Sequence, residues 1–433
     1  MKKRKRGFNT KAVKFFVALP IMMLIGLLVA IICREDIENS GTLPRMTVTL
    51  YDVSFADLQE GNKETRYYDN TISLRNNGIL EQFDDVRFGG HGNFSWWSNK
   101  KSYSIKFAHK VDLLGMGNAR KWVLITNGTD KSLLRNDTAY YIARMINEKN
   151  PLRGEFVNLT INNNDVGIYY LTKSLTATKE VMRLTDPYGV LVEYDAVYGG
   201  GGELFYQTWD DGILEVKDIV AEDNAEVALA VFGEKFDLLE QAAQDHDYVA
   251  AEAVADMGSL AEYFLLSEFS GNPDAYYTSH YFYSDGLEDK IHAGPGWDFD
   301  AAFGNRNWNW QEWGNEFYAP TSLMVRREYA FGDDRLKISR IMYGLIETPE
   351  FYELVCSLYQ ERLMGKEEEV LGHINERANE IKKDAKKEFD IWKNSDVSEE
   401  TEYLKWWVEV RFQVFDEVYG DKTKMPTIRE IGA

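Results

Sequence analysis

Three aspartates lie in two short segments whose composition is suited to binding a cation. Asp274 follows an Asn-Pro pair, which favours a turn, and Asp298 and Asp300 lie in the segment Gly296-Trp-Asp-Phe-Asp-Ala-Ala-Phe-Gly304. Converging carboxylates repel one another unless a cation neutralises them. Because oxygen ligands suit hard divalent ions, the two segments together predict a magnesium site. A single Asp in a loop more often caps a turn or faces water.

A buried helix and a hairpin are expected to position these aspartates. The apolar stretch Met257 to Phe269 predicts a helix that leads directly into the Asp274 loop. Tyr281 to Tyr283 and the strand near Ile291 predict a hairpin that brings the two segments together. Trp297 and Phe299 alternate with the later aspartates, so the apolar side chains can anchor one face while both acids point to the other.

An alternating β pattern runs through the first half of the chain, and a helical pattern follows from about residue 221. The predicted strands are 46–51, 85–88, 102–107, 122–125, 156–161, 166–171 and 189–194. Predicted helices are 130–146, 257–269 and a charged amphipathic segment at 366–393. At 433 residues the chain exceeds what one core usually covers. The sequence therefore predicts an α+β protein with two lobes and a cleft between them.

A glycine-dense loop, Gly89-Gly-His-Gly-Asn-Phe-Ser-Trp96, lies between two predicted strands. Its backbone could approach a ligand closely and offer N–H groups to phosphate, although glycine pairs more often only turn a hairpin. Lys106 lies on the polar face of the next strand, where a fixed cation would meet phosphates or would simply be solvated. Arg135, in the first turn of the helix that follows, could also face a site.

The N-terminal residues predict a membrane anchor. Seven Lys or Arg residues within the first 14 precede an uncharged run of 19 residues from Phe15 to Cys33, long enough to cross a bilayer as a helix. A signal peptide has a shorter apolar centre and a small-residue cleavage site, which this run lacks. Ile32 is larger than the residue that usually precedes a lipidated cysteine, so lipidation of Cys33 is the weaker alternative. Basic flanks stay in the cytoplasm, which puts residues from about 40 onward outside.

Charge and cysteine content limit the possible partners. Residues 1–34 carry eight basic and no acidic residues, so the remainder has 41 basic against 70 acidic residues, a net charge of −29. Nucleic acid or an anionic membrane surface is therefore an unfavourable partner for this part of the chain. Basic proteins, cations or neutral polymers fit better. The two cysteines, Cys33 and Cys356, predict neither a disulfide framework nor a zinc site.

Several motifs in one order, within residues 45–310, resemble the spore-coat protein H (CotH) kinase family, a group of atypical protein kinases. The glycine loop is similar to the family's Arg-Gly-Asn-Ser-Thr-Trp segment, and Lys100-Lys-Ser-Tyr-Ser-Ile-Lys-Phe107 to its Lys-Lys-Pro-Tyr-x-Ile-Lys-Phe strand. Residues 130–136 and 162–171 resemble its helix start and hairpin. The strongest resemblance joins Asn272-Pro-Asp274 to Trp297-Asp-Phe-Asp-Ala-Ala-Phe-Gly304, close to the family's Asn-x-Asp and Trp-Asp-x-Asp-x-x-Phe-Gly.

The resemblance implies a two-lobed, atypical protein-kinase-like fold. It also implies transfer of the ATP γ-phosphate to Ser or Thr of a surface or coat protein. Together with the predicted anchor, this describes an enzyme that is held in the cell membrane and faces outward. By resemblance Asp274 would orient the substrate hydroxyl, and Mg²⁺ would be bound by Asp298 with Asp300 and Ser279. Lys106 would hold the ATP phosphates, and the remaining cofactor-binding candidates are Gly90, Gly92, Asn93 and Arg135.

The predicted regions are a basic tail 1–14, an anchor 15–33, a linker 34–44, a β-rich lobe 45–220 and a helical lobe 221–433.

Three departures from the family pattern keep other functions open. His91 replaces the loop arginine, Lys173 stands where an acid is usual, and Ser279 replaces a metal-binding asparagine, with His280 beside it as a possible substitute ligand. A catalytically impaired pseudokinase is therefore one alternative. A cell-surface module that binds polysaccharide or protein is another, suggested by Trp96, Trp97, Trp308, Trp310 and Trp313. A metal-dependent hydrolase is the third, although His292 alone gives it little support.

Overall fold

The computed structural model describes residues 43–146, 152–177, 180–195, 204–306, 319–326, 339–393 and 397–423. The predicted membrane anchor, Cys33 and three of the tryptophans, Trp308, Trp310 and Trp313, lie outside these residues. Within the described ranges, no helix has both the length and the apolar composition that crossing a membrane requires. The anchor at residues 15–33 therefore stays a prediction from sequence.

Seven strands of the described ranges form a closed barrel, in the order β1-β2-β3-β4-β5-β7-β6. Neighbours are antiparallel except β1 and β6, which pair in parallel, with Met46 opposite Leu159, and so close the ring. Closure leaves no unpaired edge. The strands are β1 Arg45–Thr49, β2 Arg66–Asn76, β3 Ile79–His91, β4 Ser102–Asp112, β5 Asn118–Ile125, β6 Gly154–Ile161 and β7 Asn164–Lys173.

The alternation of side chains along each strand separates a barrel interior from an outer face. On β4, Tyr103, Ile105 and Phe107 belong to the interior cluster, as does Trp122 on β5. Val123, the next residue, packs instead in the larger core outside the barrel. The outer face of β3, β4 and β5 is therefore the surface on which the rest of the protein can pack.

A second sheet of five strands has the order β12-β11-β8-β10-β9 within the described part of the chain. Its strands are β8 Gly189–Tyr194, β9 Phe205–Gln207, β10 Ile213–Ile219, β11 His280–Asp285 and β12 His292–Ala293. Phe282 of β11 lies opposite Val192 of β8, so a hairpin from the helical half of the sequence pairs with a strand from the first half. This pairing brings the aspartate segments next to the barrel.

Helices dominate the second half, and the structure is a mixed α+β fold with a β-rich N-terminal region. The largest buried element is the helix Met257–Ser270, in which nearly every side chain is buried. The helices are α1 Phe55–Glu60, α2 Phe94–Trp97, α3 Arg135–Ile146, α4 Ala225–Gln244, α5 Tyr248–Val254, α6 Met257–Ser270, α7 Ile341–Ile346, α8 Pro349–Arg362, α9 Glu367–Trp392 and α10 Val397–Tyr419. Short 3₁₀ turns lie at Glu222–Asn224 and Met324–Arg326.

The long helix α9 is fixed to the barrel by buried polar contacts. The carboxylate of Glu388 accepts hydrogen bonds from Lys100 Nζ at 2.6 Å and from the backbone N–H of Ile168 at 2.8 Å. One turn earlier, Asp384 accepts hydrogen bonds from the Leu43 N–H and the Asn158 side chain. Because these groups are buried, their hydrogen bonds hold α9 in one position on β6 and β7.

Candidate functional site

A cavity of about 420 Å³ lies where the outer face of the barrel, the second sheet and the two aspartate loops meet. Asp274, Asp298 and Asp300 all line it, together with Glu193 and Asp195 at the end of β8. The glycine loop forms another wall through His91, Gly92, Asn93 and Ser95. The structure therefore brings together carboxylates separated by more than 100 residues in sequence.

Asp274 is presented by the end of the buried helix α6. Gly271 ends that helix in the left-handed conformation, with φ 55°, and its N–H donates to the Glu268 carbonyl. The side chain of Asn272 then accepts a hydrogen bond from the Asp274 N–H at 3.2 Å and donates one to the Asp298 carbonyl at 3.5 Å. Asn272 thus joins the two aspartate loops.

The loop that carries Asp298 and Asp300 is held by hydrogen bonds to its backbone. Asn136 accepts from the Phe299 N–H at 2.8 Å, and Arg135 Nε donates to the Ala302 carbonyl at 3.0 Å. Asp298 itself has φ 62°, a strained conformation for a residue other than glycine. Strain of this kind persists only where the surroundings impose it, as this network does.

The carboxyl groups of Asp298 and Asp300 hydrogen-bond to each other. Burial raises the pKa of Asp298 well above its usual value, and the nearby Asp300 and Asp274 raise it further. Burial also raises the pKa of Asp300, against the effect of a 2.6 Å hydrogen bond from the Thr129 hydroxyl. Both carboxylates are thus costly to ionise together without a cation.

This pair fits a magnesium ion that would also be bound by phosphate and water. In the residues that the structure describes, no group of three or more His, Cys, Asp or Glu side chains is arranged to enclose a metal. Mg²⁺ needs no such enclosure, since one or two carboxylates usually hold it while substrate phosphates complete its coordination. Asp298 and Asp300 are the residues that would hold it.

Lys217 of β10 is the cation of the cavity, and the sequence analysis missed it. It is the one Lys or Arg among the described lining residues. Its ammonium forms an ion pair with the buried Glu193 on β8 and lies 3.0 Å from Glu215. Burial lowers the pKa of Lys217, but these two carboxylates raise it more, so the side chain stays charged. The Tyr281 hydroxyl also hydrogen-bonds to Glu193.

Some of the residues predicted to bind the cofactor line the cavity, and others do not. Gly92 and Asn93 line it, whereas Lys106, Gly90 and Arg135 are absent from its described lining. A Cβ atom on Gly90 would lie 2.7 Å from the Trp96 ring, so this glycine permits close packing. Arg135 is fully buried, pairs with Asp130 and positions the Asp298 loop as described above. Lys106 lies on the outer face of β4, further along the strand.

Of the two histidines near the site, one is uncharged and the other lies in the core. Burial, together with Lys63 and Arg66, lowers the pKa of His91 to about 4, so its ring is neutral at neutral pH. Ser279 lines the cavity, but His280 is fully buried and stacks on Tyr263 with ring centroids 4.2 Å apart. The expectation that His280 could substitute for the missing metal ligand was wrong, because its ring packs in the core.

The other candidate binding groups that the structure describes, His292, Trp96 and Trp97, are also absent from the cavity lining. His292 stacks on Tyr283 and contacts Asp289, so it is structural. Trp96 is buried, and Trp97, which is 85% exposed, stands alone among the described tryptophans of the sugar-binding hypothesis. Because Trp308, Trp310 and Trp313 lie outside the described residues, the sugar-binding hypothesis stays a prediction.

Comparison with known proteins adds one positive finding. The family model described as CotH kinase protein matches residues 87–415 of the chain. The match runs from β3 to α10 and so includes the glycine loop, both aspartate segments and Lys217. No curated protein matches the chain.

Proposed function

Because the chain belongs to the CotH kinase family, we propose that it transfers the γ-phosphate of ATP to a Ser or Thr hydroxyl of a protein substrate. The observation that carries this proposal is the convergence of Asp274, Asp298, Asp300 and Lys217 on one cavity beside a glycine loop. Phosphoryl transfer depends mainly on alignment and charge neutralisation, and this set of side chains supplies both.

Each of these side chains has a separate task in the proposed reaction. Asp274 accepts the hydrogen bond of the attacking hydroxyl and takes its proton as the hydroxyl oxygen bonds to the γ-phosphorus, while the bond from that phosphorus to the bridging oxygen breaks and ADP leaves. Lys217, oriented by Glu193, offsets negative charge on the phosphate oxygens. Asp298 and Asp300 would hold a magnesium ion, which when bound would supply a positive charge next to the phosphates. Gly92 lets the loop backbone lie close to the nucleotide.

Radiolabelled phosphate transfer by the purified full chain tests this proposal. The assay uses labelled ATP with dephosphorylated casein as a general Ser/Thr acceptor, with and without Mg²⁺. We expect Mg²⁺-dependent labelling that falls at least about 100-fold in Asp274→Asn and Asp298→Asn, since each removes a charge that acts in the transition state. Asp223→Asn is the matched control, because Asp223 is exposed and is not one of the residues that line the cavity.

The same assay separates the competing functions. Labelling that is unchanged in both aspartate variants would contradict the assignment. Binding of ATP with Mg²⁺, measured by calorimetry, without any transfer would instead identify a pseudokinase. Release of labelled inorganic phosphate from ATP without labelling of casein would favour a hydrolase.

We also propose that the enzyme is anchored in the cell membrane by residues 15–33, with the kinase-like part outside. The support is the run of 19 uncharged residues behind a basic N-terminal tail. Alkaline carbonate should leave the full chain in the membrane pellet but extract a chain that begins at residue 43. External protease should digest the full chain in intact cells, and complete protection would contradict the proposed orientation.

A further inference from the structure

Three cations lie side by side on the outer face of the barrel. Arg87 of β3 pairs in register with Lys106 of β4, and Lys106 pairs in register with Lys121 of β5. Their neighbours Phe88, Ile105 and Trp122 point into the barrel, so the three basic side chains share the opposite face. We call these three residues the basic row.

The basic row has little compensating negative charge. Among the described residues, Lys121 contacts Asp218 at 3.6 Å, and neither Arg87 nor Lys106 forms an ion pair. Asp218 is itself engaged, since it accepts a hydrogen bond from the Ala177 N–H at 2.8 Å. Burial and repulsion from Arg87, Lys121 and Arg120 lower the pKa of Lys106, against attraction from Asp218.

Like charges directly opposite each other on adjacent strands destabilise a sheet. Here two such pairs adjoin in a chain whose residues after position 34 carry a net charge of −29. The basic row is therefore a local exception to the preference for basic or neutral partners that the net charge predicts, and in the described residues only Lys121 of the three has an ion-pair partner. A bound anion would remove the repulsion and would account for the arrangement.

The basic row lies on the same strand face as one wall of the cavity. Ser102 lines the cavity, and Ser104 and Lys106 follow on the same face of β4. Four residues of a strand span roughly 13 Å at about 3.3 Å per residue. An extended peptide that leaves the cavity along this face would therefore reach the basic row about four residues after it passes Ser102.

We propose that Arg87, Lys106 and Lys121 bind a carboxylate or phosphate group carried by the protein substrate, a few residues from the acceptor hydroxyl and on the segment that passes Ser102. This inference rests on the proposed kinase function and adds a substrate class to it, namely Ser/Thr segments flanked by an acidic or phosphorylated residue. Glutamate and phosphoserine present the same anionic chemistry to the basic row, and phosphoserine presents more charge.

Peptide binding by the full chain tests the inference without requiring catalysis. Fluorescein-labelled peptides contain one Ser acceptor and a single Gln, Glu or phosphoserine placed three to five residues away on either side. Fluorescence anisotropy is expected to give tighter binding of Glu than of Gln by about five-fold and of phosphoserine by about ten-fold or more. Increasing the salt from 50 to 300 mM should reduce the preference, because it screens exposed charges.

The double variant Arg87→Gln with Lys121→Gln should bind all three peptides equally and keep its affinity for ATP with Mg²⁺. Lys382→Gln with Lys386→Gln is the matched control, since it removes two exposed lysines of α9 and should keep the preference. Equal binding of the three peptides by the unmodified chain would overturn the inference. A parallel loss of ATP affinity in the double variant would also overturn it, by assigning the basic row to the nucleotide.

The two proposals can fail separately. If the chain transfers no phosphate but still prefers acidic peptides in this assay, the kinase activity is contradicted and the anion site remains. If it transfers phosphate with no preference for acidic flanks, the anion site is contradicted and the kinase activity remains.

Discussion

Lys217 is expected to contribute most of the protein's own positive charge at the nucleotide phosphates. Removing it alone would leave Glu193 buried without its partner, which costs about 3–5 kcal/mol of stability. The informative variant is therefore Lys217→Met combined with Glu193→Gln, which removes both charges. Calorimetry should show a folded protein whose dissociation constant for ATP with Mg²⁺ rises about ten- to hundred-fold.

The variant Lys106→Gln tests which lysine, Lys106 or Lys217, contacts the ATP phosphates. The resemblance assigns the phosphates to Lys106, whereas the cavity is lined by Lys217. A larger loss of ATP affinity in Lys106→Gln than in the Lys217 double variant would favour the resemblance and contradict the role given to Lys217.

Asp298→Asn is expected to stabilise the metal-free protein while it abolishes metal-dependent ligand binding. The Asp298 carboxyl is buried against Asp300 and near Asp274, and its pKa is raised well above the usual value. Replacing it by a neutral amide removes that repulsion, a gain of about 1 kcal/mol or roughly 1–2 °C for a chain of this size. Thermal unfolding in EDTA measures the gain, and the stabilisation by ATP with Mg²⁺ should disappear. A lower melting temperature in EDTA would show that the Asp298 carboxylate is structural.

At the scale of single residues, the carboxylates were predictable and the cation was not. Asp274 follows a local turn signal, and Asp298 alternates with aromatic residues, so both are recognisable within a few positions. Lys217 lies in an ordinary segment, Glu-Val-Lys-Asp, and reaches the cavity only because β10 pairs with β8 and bulges between Val216 and Asp218. That placement depends on a contact between distant segments, which a local pattern does not encode.

The contact between helices α3 and α9 is expected to make stability depend on acid pH. Asp137 of α3 lies 2.7 Å from His373 Nε2 and 3.3 Å from Arg377 Nε, both on α9, and accepts a hydrogen bond from the Tyr170 hydroxyl. Burial raises the pKa of Asp137, but these partners lower it more, so the folded-state pKa lies below the usual 3.8. The contribution is therefore fully present above about pH 4 and is lost as the pH falls through the lowered pKa.

Asp137→Asn tests this expectation. Urea unfolding between pH 2.5 and 7 should show lower stability in the variant at neutral pH and a shallower decline below pH 4, because one carboxylate no longer gains a proton on unfolding. Asp84→Asn, which changes an exposed carboxylate, is the control. Parallel curves for Asp137→Asn and the unmodified chain would contradict the assignment.

Elements with strong local periodicity were predicted well, and their long-range pairing was not. The predicted hairpin 156–171 is β6 with β7, the predicted helix 257–269 is α6, and the charged segment 366–393 is α9. Barrel closure depends on Arg45 lying opposite Asn158, more than 100 residues away. Alternation shows which face of a strand is apolar but does not identify its neighbour, so neither the closed barrel nor the sheet shared by β8 and β11 could be derived from it.

At the scale of the whole molecule, the C-terminal helices complete the fold. Helix α9 packs on the barrel, and α10 buries Trp407 against Gly271, the residue that ends the helix before Asp274. Arg411 of α10 donates to the Pro320 carbonyl at 2.8 Å and lies 3.9 Å from the buried carboxylate of Glu268. The position of the Asp274 loop therefore depends on a helix more than 130 residues further along the chain.

A chain that ends at Gly365 is consequently expected not to fold. It would lose α9 and α10, which bury apolar side chains including Val370, Ile374, Ile381, Leu404, Trp407, Val408, Phe412 and Phe415. At about 1.5–3 kcal/mol each, eight such side chains contribute about 12–24 kcal/mol, which equals or exceeds the roughly 5–15 kcal/mol by which a domain is usually stable. Lys100 would also remain buried without Glu388. Circular dichroism and limited proteolysis should show loss of cooperative unfolding, whereas a chain ending at residue 423 should unfold cooperatively. If the shorter chain unfolded cooperatively and bound ATP with Mg²⁺, the helices would instead be an independent module on a barrel that holds its own site.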